Sequence, residues 1–102
     1  MPDPRKVLEK LELIQAEMGK VGLWQNGPLE PDQYDFRAAF AGDTMTFSQW
    51  LQFIFLPNVK IAANEGKFPS SSHVAARAVR EFDGMNEASN LITILSEFDA
   101  LF

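Results

Sequence analysis

Apolar residues recur at helical spacing along four stretches of the chain. In each stretch the large side chains follow steps of three and four residues, with polar residues on the opposite side. This period predicts helices at about residues 4–22, 46–65, 71–84 and 86–102. No stretch shows the alternation of period two that a half-buried strand requires. The pattern therefore predicts an all-α fold, a four-helix bundle that is either up-and-down or irregular.

The segment from Asp43 to Pro57, DTMTFSQWLQFIFLP, joins a helix start to the densest apolar run in the chain. Thr46 and Gln49 have the spacing of a capping box, in which each side chain pairs with the backbone N–H of the other residue. Pro57 has no backbone donor, so we expect either a kink or a break in the second helix at that point. We predict that this segment forms the centre of the core.

Other helix ends carry similar local signals. Asp3 followed by Pro4 predicts an N-cap and a first helical position for the first helix. One of the serines at 70–72 is expected to cap the third helix. Gly84 is predicted to end that helix, and Asn86 is predicted to cap the fourth.

Residues 23–45 form one long connection between the first two helices. Trp24 makes its start too apolar for a solvated linker, and the stretch DQYDFRAAF could form a short helix anchored by Tyr34, Phe36 and Phe40. Loops of this length in compact domains are often functional. We expect an ordered loop that packs across the bundle.

Several of these segments together resemble a known family. The segments DTM and WLQ, Pro57, Trp24 and the C-terminal FDALF are similar to the YqcC-like family of small bacterial proteins of unknown function. The resemblance covers nearly the whole chain and implies an all-α bundle in the bacterial cytoplasm. It also implies an association with tRNA modification, because genes of the family are sometimes found beside a tRNA pseudouridine synthase. It supplies no catalytic residues.

Composition narrows the classes of function. A chain of 102 residues is the size of one domain, here predicted to span residues 1–102. Its formal net charge of −5 argues against direct binding of nucleic acid, which draws on clustered Lys and Arg. The sequence contains no cysteine, which excludes thiolate catalysis and cysteine-based metal sites.

The N-terminal stretch MPDPRKVLEK is charged where a signal peptide would need an apolar core. No apolar run approaches the roughly 18 residues of a membrane span. We therefore predict a cytoplasmic protein with no membrane contact.

Two groups of residues are candidates for catalysis or metal binding. His73 follows the serines at 70–72, but neighbours at a helix start do not face one another as a catalytic pair must. Four acids could gather in the long loop, but they lack the spacing of a calcium loop, so a solvated acidic loop is favoured. These acids are Glu30, Asp32, Asp35 and Asp43. We predict no catalytic residue, no metal and no cofactor, which favours a protein that is not an enzyme.

Aromatic residues near the long loop suggest a binding surface. Tryptophan at the edge of a bundle often anchors an interface, although aromatics at helical spacing more often belong to the core. The candidate binding surface consists of Trp24, Arg37, Asp43, Thr44 and Trp50.

The sequence therefore predicts a non-enzymatic helical module that binds a protein partner or a second copy of itself. Two alternatives stay open. One is an accessory protein of tRNA modification that acts through contacts with the modifying enzyme. The other is a small-molecule-binding protein, which requires a pocket with convergent polar groups.

Overall fold

A computed structural model describes residues 2–102, and its regular elements in that range are helices and helical turns, with no strand. The principal helices are α1 (Pro4–Lys20), α2 (residues 47–65), α3 (Val74–Glu81) and α4 (Ser89–Asp99). Single turns of 3-10 helix lie at Pro31–Tyr34, Ala39–Ala41 and Asn86–Ala88. The all-α prediction is confirmed for the described residues, and the arrangement is consistent with a four-helix bundle.

The first helix begins as its sequence predicts. Asp3 is the N-cap, and its carboxylate accepts a hydrogen bond of 3.0 Å from the Arg5 N–H, while Pro4 occupies the first helical position. The last two helices are shorter than predicted. The structure has Val74–Glu81 where residues 71–84 were expected, and Asn86 begins a 3-10 turn that precedes α4.

Helix α2 continues through Pro57 without a break. Its first turn (Phe47–Trp50) is followed by a π-helical turn (Leu51–Phe55) and then by α-helix to its end (Leu56–Glu65). In the π turn the Leu56 N–H donates to the Leu51 carbonyl five residues earlier. The π turn ends at Phe55, two residues before Pro57, so the ladder is irregular just before the proline that lacks a donor.

Helix α4 packs against both α1 and α3, and α1 also packs against the last part of α2. Two polar contacts fix the direction of α4 relative to α1. Lys10 Nζ lies 3.0 Å from Glu97 Oε1, and Asn90 Nδ2 donates to Glu17 Oε1 at 3.0 Å. Because the early residue of α1 pairs with the late residue of α4, the two helices run antiparallel. The fully buried core residues include Val7, Ile14, Met18, Leu51, Leu91, Leu95 and Phe98.

The N-terminus of α3 is capped by a residue from the far end of the chain. Asp99 Oδ1 accepts from the Val74 N–H (3.1 Å) and from Ser72 Oγ (2.5 Å), and Oδ2 accepts from the Ala75 N–H (2.8 Å). The prediction that a serine at 70–72 caps this helix is therefore wrong. His73 occupies the cap position without a side-chain bond, and a carboxylate satisfies the free N–H groups instead.

Replacing this carboxylate should destabilise the protein measurably. We expect Asp99→Ala to lower the free energy of unfolding by about 1–2 kcal/mol, the upper part of the range for a lost helix cap. Urea denaturation followed by circular dichroism measures the change. Asp83→Ala, at an exposed acid, is the control. Equal stability of the two variants would show that the Asp99 cap contributes nothing.

Candidate functional site

Three consecutive residues at the start of the π turn point in three directions. Leu51 is fully buried in the main core, Gln52 is 8% exposed and faces the long loop, and Trp50 is half-buried among other aromatic rings. One short stretch of α2 thus contacts the core, the loop and an aromatic cluster.

Gln52 binds the backbone of the long loop with both ends of its amide. The Gln25 N–H donates to Gln52 Oε1 at 2.8 Å, and Gln52 Nε2 donates to the Gln25 carbonyl at 2.7 Å. Gln49, on the preceding turn, donates from Nε2 to Gln25 Oε1 at 2.8 Å. The loop is therefore bound to α2 immediately after Trp24.

A second attachment lies further along the loop. Gln33 Nε2 donates to the Thr44 carbonyl (3.1 Å), and Thr44 Oγ1 donates to the Gln33 carbonyl (2.7 Å). Gln33 Oε1 also accepts from the Glu30 N–H at 2.9 Å. We call Gln25, Gln33, Gln49 and Gln52 the glutamine clamp, since together they hold the loop against itself and against α2.

The predicted capping box is present at the start of α2. The Gln49 N–H donates to Thr46 Oγ1 at 3.2 Å, and the Thr46 N–H donates to Gln49 Oε1 at 2.9 Å. Gln49 therefore caps the helix with its oxygen while its nitrogen binds the loop. Both functions depend on one side-chain orientation.

Trp50 lies at the junction of two hydrophobic clusters. It packs against the main core and against the small cluster of Leu29, Ala41 and Met45. Its ring centroid lies 4.8 Å from Phe40, 5.6 Å from Phe47 and 5.3 Å from Phe55.

The stretch DQYDFRAAF forms two separate 3-10 turns rather than the predicted short helix. Phe36 and Phe40 pack as anchors, but Tyr34 is 50% exposed, so its predicted anchoring role is wrong. Phe40 and Ala41 have φ angles of 56° and 54°, a left-handed conformation that is costly for residues with a side chain. The Trp50–Phe40 contact and the Arg77 guanidinium, 5.3 Å from the Phe40 ring, hold this turn in place.

The five residues of the predicted binding surface lie in four places. Trp24 lines a groove between α1 and α2, and Trp50 lines a separate pocket. Thr44 is paired with Gln33 of the glutamine clamp. Arg37 and Asp43 close a turn of the loop, where the Arg37 N–H donates to Asp43 Oδ2 at 3.0 Å. The two tryptophans therefore do not line a common hollow.

The hydrogen bond from the Arg37 N–H holds the pKa of Asp43 below the ordinary value of an aspartate. Desolvation opposes this bond and is the next largest effect, while the backbone N–H groups of Asp43 and Ala38 and the positive charge of Arg37 add to the lowering. The carboxylate of Asp43 thus closes the turn in its ionised form.

Among residues 2–102, no three His, Cys, Asp or Glu side chains are grouped as metal ligands.

The α1–α2 groove is an open hollow of about 660 Å³. Its apolar surface includes Trp24 at one end and Ile61, which is 54% exposed. Glu12 lies on the α1 wall and Lys60 on the α2 wall. The other lining residues are Leu8, Leu11, Gln15, Gln52, Leu56, Pro57 and Asn64.

A second hollow, the aromatic pocket, is walled by Trp50, Phe55, Phe68, Phe98 and Phe102 and has a volume of about 240 Å³. It lies on another side of α2 and shares no lining residue with the α1–α2 groove.

None of the helices in the described part of the chain combines the length and the apolar character needed to cross a membrane.

These features define a small all-helical domain with two open hollows on either side of one central helix. A family model, DUF446, described as tRNA pseudouridine synthase C, matches residues 6–101, and the chain belongs to this family. An uncharacterized protein of Haemophilus influenzae (strain ATCC 51907 / DSM 11121 / KW20 / Rd) is 27% identical over 94 residues, which cover 91% of this chain and 89% of that protein. No solved structure matches the chain significantly.

Loss of the Gln52 amide should release the start of the loop. We expect Gln52→Met, similar in size and helix propensity, to lower the free energy of unfolding by about 2–3 kcal/mol, because two hydrogen bonds are lost and the Gln25 backbone is left unpaired. Urea denaturation measures this loss, and hydrogen exchange should show faster exchange of the Gln25 N–H. Gln15→Met, at an exposed position on α1, should change stability by no more than about 0.5 kcal/mol. Unchanged exchange at Gln25 would contradict the clamp.

Protonation of Asp43 should open its turn only in strong acid. Its pKa is lower in the folded than in the unfolded chain, so the stabilisation is complete above the unfolded value of about 3.9 and is lost as the pH falls through the folded value. The chemical shift of the Arg37 N–H in an acid titration should therefore change with a midpoint below about 3.9. In Asp43→Asn this transition should disappear. A midpoint at or above the ordinary value would refute the assignment.

Proposed function

We propose that the chain is a non-enzymatic interaction module that binds an amphipathic helix of a protein partner in the α1–α2 groove. The observation that carries the proposal is the groove itself, an open apolar channel with Trp24 at one end and Ile61 exposed along one wall. Exposed apolar residues gathered in a concavity mark interaction surfaces, whereas single ones do not.

The dimensions of the groove suit a helix. Its α2 wall runs from Gln52 to Asn64, which corresponds to about 18 Å or three helical turns. Over that length a partner helix presents apolar side chains at steps of three and four residues, the usual pattern of helix-in-groove binding. Leu11 and Leu56 are buried and would form the floor under such a stripe.

The charges on the rim of the α1–α2 groove favour one orientation of the partner helix. Glu12 on the α1 wall would pair with a basic residue of the partner, and Lys60 on the α2 wall would pair with an acidic one. Such rim charges contribute to specificity and association rate more than to affinity. The expected partner is thus a helix with an apolar stripe, a basic edge toward α1 and an acidic edge toward α2.

The glutamine clamp supports this function by fixing Trp24 before binding. Trp24 directly precedes Gln25, whose N–H and carbonyl are both bound by Gln52. A tryptophan held in place loses little conformational entropy on binding, which favours its use as an anchor. The predicted surface residue Trp24 therefore keeps its proposed role, although Trp50 lines another hollow.

The description of the DUF446 family favours one class of partner, an enzyme of tRNA modification. In this second proposal the chain is an accessory protein, of the YqcC-like type and cytoplasmic, that binds the enzyme rather than the RNA. Its net charge of −5 supports contact through protein, because direct tRNA binding would require clustered basic residues.

A substitution at Ile61 should show whether the partner binds in the α1–α2 groove or elsewhere on the surface. The tagged chain, exposed to a bacterial lysate, should retain a partner identified by mass spectrometry, and Ile61→Asp should reduce the retained amount by about tenfold or more because a charge would enter the apolar contact. Val79→Asp is the matched control, since Val79 is also a β-branched residue on a helix with 54% exposure, equal to that of Ile61. It should retain the partner fully.

Three further measurements decide the identity of the partner. Hydrogen exchange of the purified complex should protect a helical segment of the partner together with residues of α1 and α2. Equal retention of the partner by Ile61→Asp and the wild type would contradict the groove proposal. If the wild-type chain self-associates in sedimentation and Ile61→Asp abolishes that association, the occupant of the groove is a second copy of the chain instead. Salt-dependent binding of tRNA by the chain alone would overturn the protein-mediated version.

A further inference from the structure

We infer that the aromatic pocket is a binding site for a small, planar, mainly apolar molecule of one ring or two fused rings with one polar substituent. The pocket is built from residues that the proposed interaction surface does not use, and the two sites share no lining residue. The inference therefore stands independently of the α1–α2 groove.

The walls of the pocket are a continuous series of aromatic rings in contact. Trp50 lies 5.3 Å from Phe55, Phe55 lies 5.2 Å from Phe98, and Phe98 lies 5.0 Å from Phe102. Phe68 completes the series at 5.6 Å from Phe102 in an edge-to-face arrangement. Because Phe55 and Phe98 are buried and pack edge to face, the deeper wall is fixed by the core.

The available space sets the size of the ligand. The volume of about 240 Å³ exceeds the roughly 150 Å³ of an engineered apolar cavity that binds benzene, so one ring or two fused rings fit. A helix with its side chains is about 10 Å across and does not fit. Ala62 contributes to this space, because its side chain ends at Cβ where α2 faces the rings.

The polar atoms lie around a mainly apolar interior. Asn58 and Ser71 line the pocket and are exposed, so they can bind a hydroxyl or amine of a ligand at the opening. Ser72 also lines the pocket, but its hydroxyl is already donated to Asp99. An aromatic molecule with one polar substituent matches this distribution.

The fluorescence of Trp50 reports directly whether the aromatic pocket is occupied. In Trp24→Phe, Trp50 is the remaining tryptophan, since the sequence has two. The probe is 4-bromophenol, whose bromine quenches tryptophan fluorescence on contact. We expect saturable quenching of Trp50 and, in the reverse variant Trp50→Phe, no saturable quenching of Trp24. Quenching that rises linearly without saturation would overturn the inference.

Filling the pocket should exclude the probe. We expect Ala62→Leu, added to Trp24→Phe, to weaken 4-bromophenol binding by roughly tenfold or more. Ala76→Leu, at an exposed position on α3, is the matched control and should leave the affinity unchanged. Ile61→Asp, in the α1–α2 groove, should also leave it unchanged.

Equal affinities of Ala62→Leu and the Ala76→Leu control for 4-bromophenol would show that the probe binds outside the aromatic pocket. Circular dichroism establishes whether Ala62→Leu is folded. If it is not, nuclear magnetic resonance of the unaltered chain decides the question. Shifts caused by 4-bromophenol must then centre on Val59, Phe68 and Phe102, and shifts centred on the α1–α2 groove would refute the site.

Discussion

The two hydrogen bonds between the Gln52 amide and the Gln25 backbone are the constraint on which the rest of the surface depends. A side-chain amide has one donor nitrogen and one acceptor oxygen, and here each of these atoms is paired with a backbone group of the same residue, Gln25. Gln52 can therefore be buried without an unsatisfied polar atom. Because the bond holds the loop directly after Trp24, it also fixes one end of the α1–α2 groove.

Helix α2 lines two different hollows and contains a π turn. This turn precedes Pro57, where the regular ladder would lose a donor in any case, so the irregularity falls where an α-helix is already weakened. On one side of α2, Gln52, Leu56 and Ile61 line the α1–α2 groove, and on the other, Phe55, Val59 and Ala62 line the aromatic pocket. Apolar residues therefore lie on both of these sides of α2.

Features that depend on neighbouring residues could be predicted from the sequence, and features that depend on distant ones could not. The Asp3 cap and the Thr46–Gln49 box are encoded within a few residues, and both are present. The Asp99 cap joins residues 25 apart, and the Gln25–Gln52 bond joins residues 27 apart, so neither has a local signal. Gln52 is a polar residue within the helix predicted at residues 46–65, and only the position of the loop explains its burial. The recurrence of glutamine in the loop and in α2 was the available clue.

Asp43 shows why a perturbed carboxylate here does not indicate catalysis. Its lowered pKa keeps it ionised, and one of its oxygens is occupied by the Arg37 N–H that closes the turn. A general acid or base works best with a pKa near the operating pH, so the direction of this shift is opposite to the one that acid–base chemistry at neutral pH requires of a carboxylate. The shift is the consequence of loop closure, and the same closure orders residues 37–43, which lie between Gln33 and Thr44 of the second attachment. The electrostatics of the loop thus serve the shape of the surface, which agrees with a role in binding.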